Sequence, residues 1–223
     1  MPEGVIFDMD GVLVDSGPAH AESWQILARR HGIRMTPEQF RGTFGQTSRD
    51  IIRTFWGANS DDEFIRRIDN EKEAIYRELI AGRVPIGVGA PEMLAALRDA
   101  GFVLAVATSG PPENLELVLR EGSLGAFFAA AVTGFDVARG KPAPDCFLLA
   151  AWRAGVEPRG CVVVEDAPVG IQAALAAGMT PVGLVGTHPR QRLEQAGAAV
   201  VVQHLLEITP ALVAGLLRRA GGP

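Results

Sequence analysis

The chain predicts an α/β fold: a parallel, doubly wound sheet with an all-helical unit inserted after its first strand. Three observations predict it. Val5-Ile6-Phe7 is a short apolar run of the kind that makes a fully buried parallel strand. The stretch 15–86 then reads as helix throughout, with no strand pattern. From 87 onward helical segments alternate with short apolar runs, and repeated β-α units of this length imply a parallel sheet covered by helices on both faces. The expected domains are 1–14 with 87–223 for the sheet and 15–86 for the helical insertion.

Taken in order, Pro18 suits the opening turn of the first helix. Trp24, Leu27, Ala28 and His31 follow at helical spacing and mark one buried face, and Gly32 closes it. Thr36-Pro37-Glu38-Gln39 is a start signal, with Thr36 as N-cap and Gln39 three positions on. A third helix is expected over 48–56. A fourth is expected over 61–81, with Phe64, Ile68, Ile75 and Leu79 on one face. Val84 to Gly89 reads as a linker or hinge. Helices are then expected over 90–100, 112–121, 144–154 and 169–177, with strands over 103–108, 130–133, 161–165, 180–184 and 199–202. Thr209-Pro210 caps a last helix.

Composition narrows the function. Nearly half of the 223 residues are hydrophobic, which excludes a disordered chain. The net charge of −5, with no basic block, argues against nucleic acid as partner. No apolar run reaches membrane-spanning length, and Met1-Pro2-Glu3 has no basic region of a secretory leader, so no membrane association is expected. Cys146 and Cys161 share no metal-binding spacing and read as reduced core residues of a cytoplasmic protein. Only Lys72 and Lys141 among twenty-one basic residues are lysine. In so arginine-rich a chain, a retained lysine suggests a need for a compact point charge, and Lys141 is the position of interest.

The chemistry sits at strand ends. Asp8-Met9-Asp10-Gly11 ends the first strand. Two carboxylates one residue apart have no place in an apolar core, so they belong at the carboxyl edge of the sheet, where open α/β folds hold ligands. Gly11 allows the tight turn there. An EF-hand does not fit, because its loop needs a third oxygen ligand before the glycine. Thr108-Ser109 ends the second strand, Lys141 lies in the loop Gly140-Lys141-Pro142, and Glu165-Asp166 ends Val162-Val163-Val164. Each has a plain alternative: a helix cap, a solvated lysine, or acids opening a helix. In a parallel sheet, however, all four groups share one edge. Carboxylates gathered there form a hard oxygen site suited to Mg²⁺, and a lysine with a hydroxyl completes a cradle for a phosphoryl group. An aspartate facing that cradle can act as nucleophile.

These motifs resemble those of the haloacid dehalogenase superfamily. The similarity is to its branch of β-phosphoglucomutases and small sugar-phosphate phosphatases. It spans nearly the whole chain and includes the helical insertion, His20, Trp24, Lys141-Pro142-Ala143-Pro144-Asp145 and Glu165-Asp166-Ala167-Pro168-Val169-Gly170-Ile171. The resemblance implies a Rossmann-like core and a Mg²⁺-dependent phosphatase for a small phosphorylated substrate. In it Asp8 attacks phosphorus, and Asp10 protonates the leaving oxygen and then activates water. Asp8, the carbonyl of Asp10 and Asp166 hold Mg²⁺, with Glu165 directly or through water. Thr108, Ser109, Lys141 and the Gly11 turn hold the phosphoryl group.

Gly45-Gln46-Thr47-Ser48-Arg49 resembles the branch's substrate-facing cap loop. Arg49 either grips the far end of the substrate or is an exposed helix arginine paired with Asp50 or with neighbours of Arg53. His20 reads as a hydrogen-bonded structural residue at the domain junction. The insertion carries eleven basic and eleven acidic residues, so it is no broad anion trap. A phosphosugar mutase is the main alternative, and a non-enzymatic phospho-receiver a distant one. The mutase pattern has Ser and Lys just after the second motif, where this chain has Gly110-Pro111-Pro112-Glu113, so hydrolysis is favoured. A monomer or weak homodimer is expected.

Overall fold

The computed structural model describes residues 2–36, 38–39 and 47–220. Strand β1 (Gly4–Phe7) leads into helices α1 (Gly17–Arg30), α2 (Ser48–Trp56) and α3 (Asp62–Ile80). Helix α4 (Ala90–Asp99), β2 (Val103–Ala107), α5 (Pro112–Glu121) and β3 (Ala130–Val132) follow. The chain continues through α6 (Asp145–Ala154), β4 (Cys161–Glu165), α7 (Pro168–Ala176), β5 (Thr180–Leu184), α8 (Arg190–Gln195), β6 (Val200–Val202) and α9 (Pro210–Ala220). Two compact units result, Met1–Asp15 with Val84–Pro223, and Ser16–Arg83. The Gly45-Gln46 part of the predicted cap loop lies outside the described residues.

The first unit is a six-stranded parallel sheet in the order β3-β2-β1-β4-β5-β6. The chain builds outward from β1 to β3, then returns to the other side of β1 with β4. The carboxyl ends of β1 and β4 therefore flank the switch point, where open α/β sheets bind ligands. Ile6, Ala105, Ala107, Cys161 and Val163 share a core cluster with Cys146, Phe147, Ala150 and Ala151 of α6 and Ala173 and Ala174 of α7. Their alternates Val5, Phe7, Leu104, Val106, Val162 and Val164 are also buried. Successive residues point to opposite faces, so both faces are covered, as near-continuous apolar strands require. Both cysteines are buried and free. Helix α8 is the one described α-helix not expected from the sequence. It is six residues long and buries only Leu193, too little for a periodic signal.

The helical insertion leaves and re-enters the sheet unit along a short stem. Asp15 N donates to Pro85 O at 2.9 Å, Gly87 N donates to Leu13 O at 2.8 Å, and Val14 and Ile86 form an antiparallel bridge.

In the helical unit Trp24 and Leu27 of α1, Ile51 and Ile52 of α2, and Ile65, Ile68 and Ile75 of α3 form the core. Thr36 and Gln39 exchange the reciprocal bonds of a capping box, at 2.8 and 3.2 Å. Thr47 caps α2 and Asp61 caps α3, each accepting a backbone N–H from its first turn. The buried stripe of α3 is rotated from the expected one. Ile65, Ile68, Lys72, Ile75, Tyr76 and Ile80 are buried, while Phe64 and Leu79 flank the core. The cause is Lys72, a charge on the buried face that breaks the apolar pattern. Its Nζ lies 2.7 Å from His20 Nδ1 and 2.7 Å from Glu73 Oε1, within 5.7 Å of the centres of the Trp24 and Tyr76 rings. His20 also stacks on Tyr76 at 4.0 Å. His31 ends α1 half-buried and meets Glu71 Oε2 at 2.9 Å, so it stands at the rim of the predicted face. Among the described residues no helix is long and apolar enough to cross a membrane.

Candidate active site

Sheet register brings the predicted groups together. Phe7 pairs with Val106 on one side and with Val164 on the other, so β1, β2 and β4 end level with one another. Asp8 N donates to Val164 O and Thr108 N to Val132 O, both at 3.0 Å, which carries the ladder one residue past the strands. Beyond that point Met9 O accepts from the N–H groups of Val12, Leu13 and Val14, at 3.3, 2.9 and 3.1 Å. This tight turn needs the positive φ of +79° at Gly11. It also needs Gly11 bare, because a Cβ there would overlap the Asp166 carboxylate.

Asp8, Thr108, Glu165 and Asp166 are all buried. Lys141 enters from the loop before α6, a loop tied down by Arg139, which donates to both Asp145 carboxylate oxygens at 3.1 and 2.9 Å. Its Nζ donates to Asp8 Oδ1 at 2.5 Å and to Glu165 Oε1 at 2.6 Å, and lies 4.9 Å from the centre of the Phe147 ring. The other oxygen of Glu165 accepts Ala167 N at 3.0 Å, at the start of α7. Thr108 Oγ1 accepts Gly110 N at 3.0 Å and donates to Asp10 Oδ2 at 3.4 Å. Ser109 is exposed.

Four carboxyl groups thus face one ammonium. Burial pushes Asp8 well above the usual carboxylate range; Lys141 opposes this, while Glu165, Asp166 and Asp10 add to it. Burial and the charge of Glu165 push Asp166 up to about 7, against a hydrogen bond from Thr187. Burial works against the charge on Lys141, yet Asp8 and Glu165 together raise its pKa above the usual lysine value. The cluster is short of positive charge, the electrostatic condition for holding a further cation.

A pH dependence follows. The native state without added metal binds a proton at Asp166 that the unfolded chain has already lost, so stability falls as pH rises from about 4 to about 7. Asp166→Asn is expected to remove this component and to melt about 5 °C higher than the parent at pH 8, with little difference at pH 4. Parallel melts across that range in chelator check it; equal shifts at both pH values would show that Asp166 is not the group responsible.

Seven of the predicted site residues meet at this edge, with Lys141 reaching in from its loop. Arg49 belongs to the helical unit, where its Nη1 donates to Asp62 Oδ1 at 2.6 Å. Asp50, its expected alternative partner, instead accepts from Thr47 Oγ1 at 2.7 Å. Sequence reasoning passed over Thr187, which bonds the Asp166 carboxyl. The signal was weak, since Thr187 lies three residues past the end of β5 whereas Thr108 directly follows β2.

Comparison with known proteins places the whole chain. A model of haloacid dehalogenase-like hydrolases matches residues 2–178. Validoxylamine A 7'-phosphate phosphatase of Streptomyces hygroscopicus subsp. limoneus is 35% identical over 210 residues, 91% of this chain and 94% of that protein. Beta-phosphoglucomutase of Bacillus subtilis (strain 168) is 30% identical over 216 residues, 93% of this chain and 92% of that protein. The crystal structure of a HAD hydrolase, family IA, variant 3, from Entamoeba histolytica HM-1:IMSS superposes with a TM-score of 0.90 at 29% identity, covering 97% of this chain and 99% of that one. With a family model matched over residues 2–178 and relatives matched along nearly the full chain, this protein belongs to the haloacid dehalogenase-like hydrolases.

Proposed function

We propose that this protein is a Mg²⁺-dependent phosphomonoesterase for a small phosphorylated metabolite of the sugar-phosphate class, working through a phosphorylated Asp8. The observation that carries this reading is the Lys141 ammonium held between Asp8 and Glu165, beside an Asp10 engaged by Thr108. Asp8 attacks phosphorus as the bond to the ester oxygen breaks, and Asp10 delivers its proton to that oxygen. Water then attacks the phosphoryl group on Asp8, Asp10 takes its proton, and inorganic phosphate leaves with the carboxylate restored. Lys141 offsets charge on the phosphoryl oxygens throughout.

The donor set fits Mg²⁺. All the donors are hard oxygens, and the cluster lacks positive charge. Asp8, the carbonyl of Asp10 and Asp166 would hold the ion. Glu165 has both oxygens engaged and would act through water. Among the described residues no three His, Cys, Asp or Glu side chains form a ready cage. That suits Mg²⁺, which takes one or two carboxylates and completes its shell with water and phosphate oxygens. When bound, it supplies charge neutralisation at the phosphoryl group.

Hydrolysis is favoured over transfer to a second sugar position by the loop after β2. Pro111 and Pro112 have no N–H, Gly110 N is used by Thr108 Oγ1, and Asn114 N is used by Pro111 O at 3.1 Å. The loop offers little to a second phosphate. We place the protein in the cytoplasm, as a monomer or weak homodimer acting on a small molecule and not on nucleic acid or membrane. The acidic balance and the buried free cysteines support this.

The test is a panel of sugar phosphates with Mg²⁺, followed by released phosphate. β-Glucose 1-phosphate with a bisphosphate primer forms one arm. Phosphate release is the expected result, abolished by chelator and restored by Mg²⁺. Rapid formation of glucose 6-phosphate with little free phosphate would replace the hydrolase by a mutase.

A further inference from the structure

Gly170 is buried at the third position of α7. It lies outside the left-handed region that would call for glycine, and alanine is the better helix former. Nothing in its own backbone explains it. The explanation is the space left by the missing side chain. A Cβ at 170 would overlap the carboxyl carbon of Glu165 as well as its oxygens. Because the carbon itself is overlapped, rotating the carboxylate about its last bond gives no relief.

The Glu165 carboxyl is thus folded back over the start of α7, where Oε2 takes Ala167 N and Oε1 takes Lys141 Nζ. The same Nζ reaches Asp8 Oδ1 at 2.5 Å. We infer that Gly170 is a positioning residue: its bare backbone is the seat of the Glu165 carboxyl, and through it Lys141 is aimed at Asp8. The inference rests on reading Asp8 as the nucleophile. Neither Gly11 nor Gly134 offers so clean a case. Gly11 has a positive φ of its own, and a Cβ at Gly134 would meet the Ser109 backbone, not a titratable side chain.

The experiment compares the parent, Gly170→Ala, Glu165→Asp and the double variant, by melting temperature and by kcat and KM with Mg²⁺. Aspartate is one methylene shorter and withdraws the carboxyl from the seat. Gly170→Ala is expected to melt lower than the parent despite its better helix residue. It is expected to lose about 100-fold in kcat with KM changed by less than about threefold, the size of effect a misplacement of about 1 Å causes.

In the double variant the losses should fail to multiply. Its kcat should exceed the product of the single effects by about tenfold or more, with partial recovery of the melting temperature. Unchanged kcat and melting in Gly170→Ala, or strictly multiplying kcat losses with additive melting shifts, would overturn the inference. If Gly170→Ala does not fold, a folded double variant supports the seat, and failure of both overturns it in favour of helix packing. If the parent releases no phosphate from any substrate, the functional reading falls, while the coupling of the melting temperatures still decides whether Glu165 sits on Gly170.

Discussion

Asp8→Asn is expected to lower phosphate release by at least about 10⁴-fold, the scale seen when a covalent nucleophile is removed. Asparagine keeps the size of the side chain and its capacity to accept from Lys141, so geometry is nearly preserved. What is lost is the anionic oxygen proposed to attack phosphorus. The fold should not suffer. Asp8 is buried among three other carboxyl groups that raise its pKa, and deleting its charge relieves that crowding. The variant should therefore melt no lower than the parent in chelator. Mass spectrometry after exposure to substrate gives a second check, since the proposed mechanism puts a phosphoryl adduct on Asp8 in the parent and none in the variant. A variant that keeps more than about 1% of parent turnover removes Asp8 from the nucleophilic role.

Lys141→Met should be costly in both stability and rate. Methionine fills similar space without charge, so the change isolates the ammonium. In the parent that ammonium touches two buried acids. Removing one partner from a buried ion pair costs about 3–5 kcal/mol, because the groups left behind are charged and dry. For a chain of this size that is a drop of about 10 °C in melting temperature. The penalty should be greatest near pH 8 and shrink toward pH 5, where Asp8, whose pKa burial already raises, can take up a proton instead. Turnover should fall by about 10³-fold, as when a preorganised charge facing the transition state is lost. Melts of parent and variant that coincide at pH 8 would mean that the lysine does not neutralise the crevice.

The sheet was legible because its strands are dry. Runs such as Val162-Val163-Val164 have no other reading when flanked by helical segments, and the polar residues that follow them stand out. Asp8, Asp10, Thr108, Glu165 and Asp166 were found as exceptions to an apolar pattern, and the shared sheet edge follows from parallel pairing alone. Lys141 was found by composition, as one of two lysines among arginines. The same cue applies to Lys72, but a helical stretch offers no strand end to mark its place. Its burial depends on His20, Tyr76 and Trp24, one of them a full turn away and the others on another helix. Contacts of that kind leave no trace in a single sequence. In the sequence Gly170 is visible only as part of a motif, because its significance depends on where the Glu165 side chain turns. Partner choice also escaped the sequence at Arg49, whose acceptor is Asp62 and not the adjacent Asp50.

The stem formed by Leu13 to Asp15 and Pro85 to Gly87 has a consequence for modularity. Because the two chain segments run antiparallel side by side at Val14 and Ile86, everything between them occupies the topological place of a hairpin loop. The closure entropy of a loop grows only with the logarithm of its length, so inserting or exchanging many residues there costs the sheet little. The helical insertion can then be exchanged as one contiguous cassette, while the sheet edge bearing Asp8, Lys141 and Asp166 keeps its register untouched.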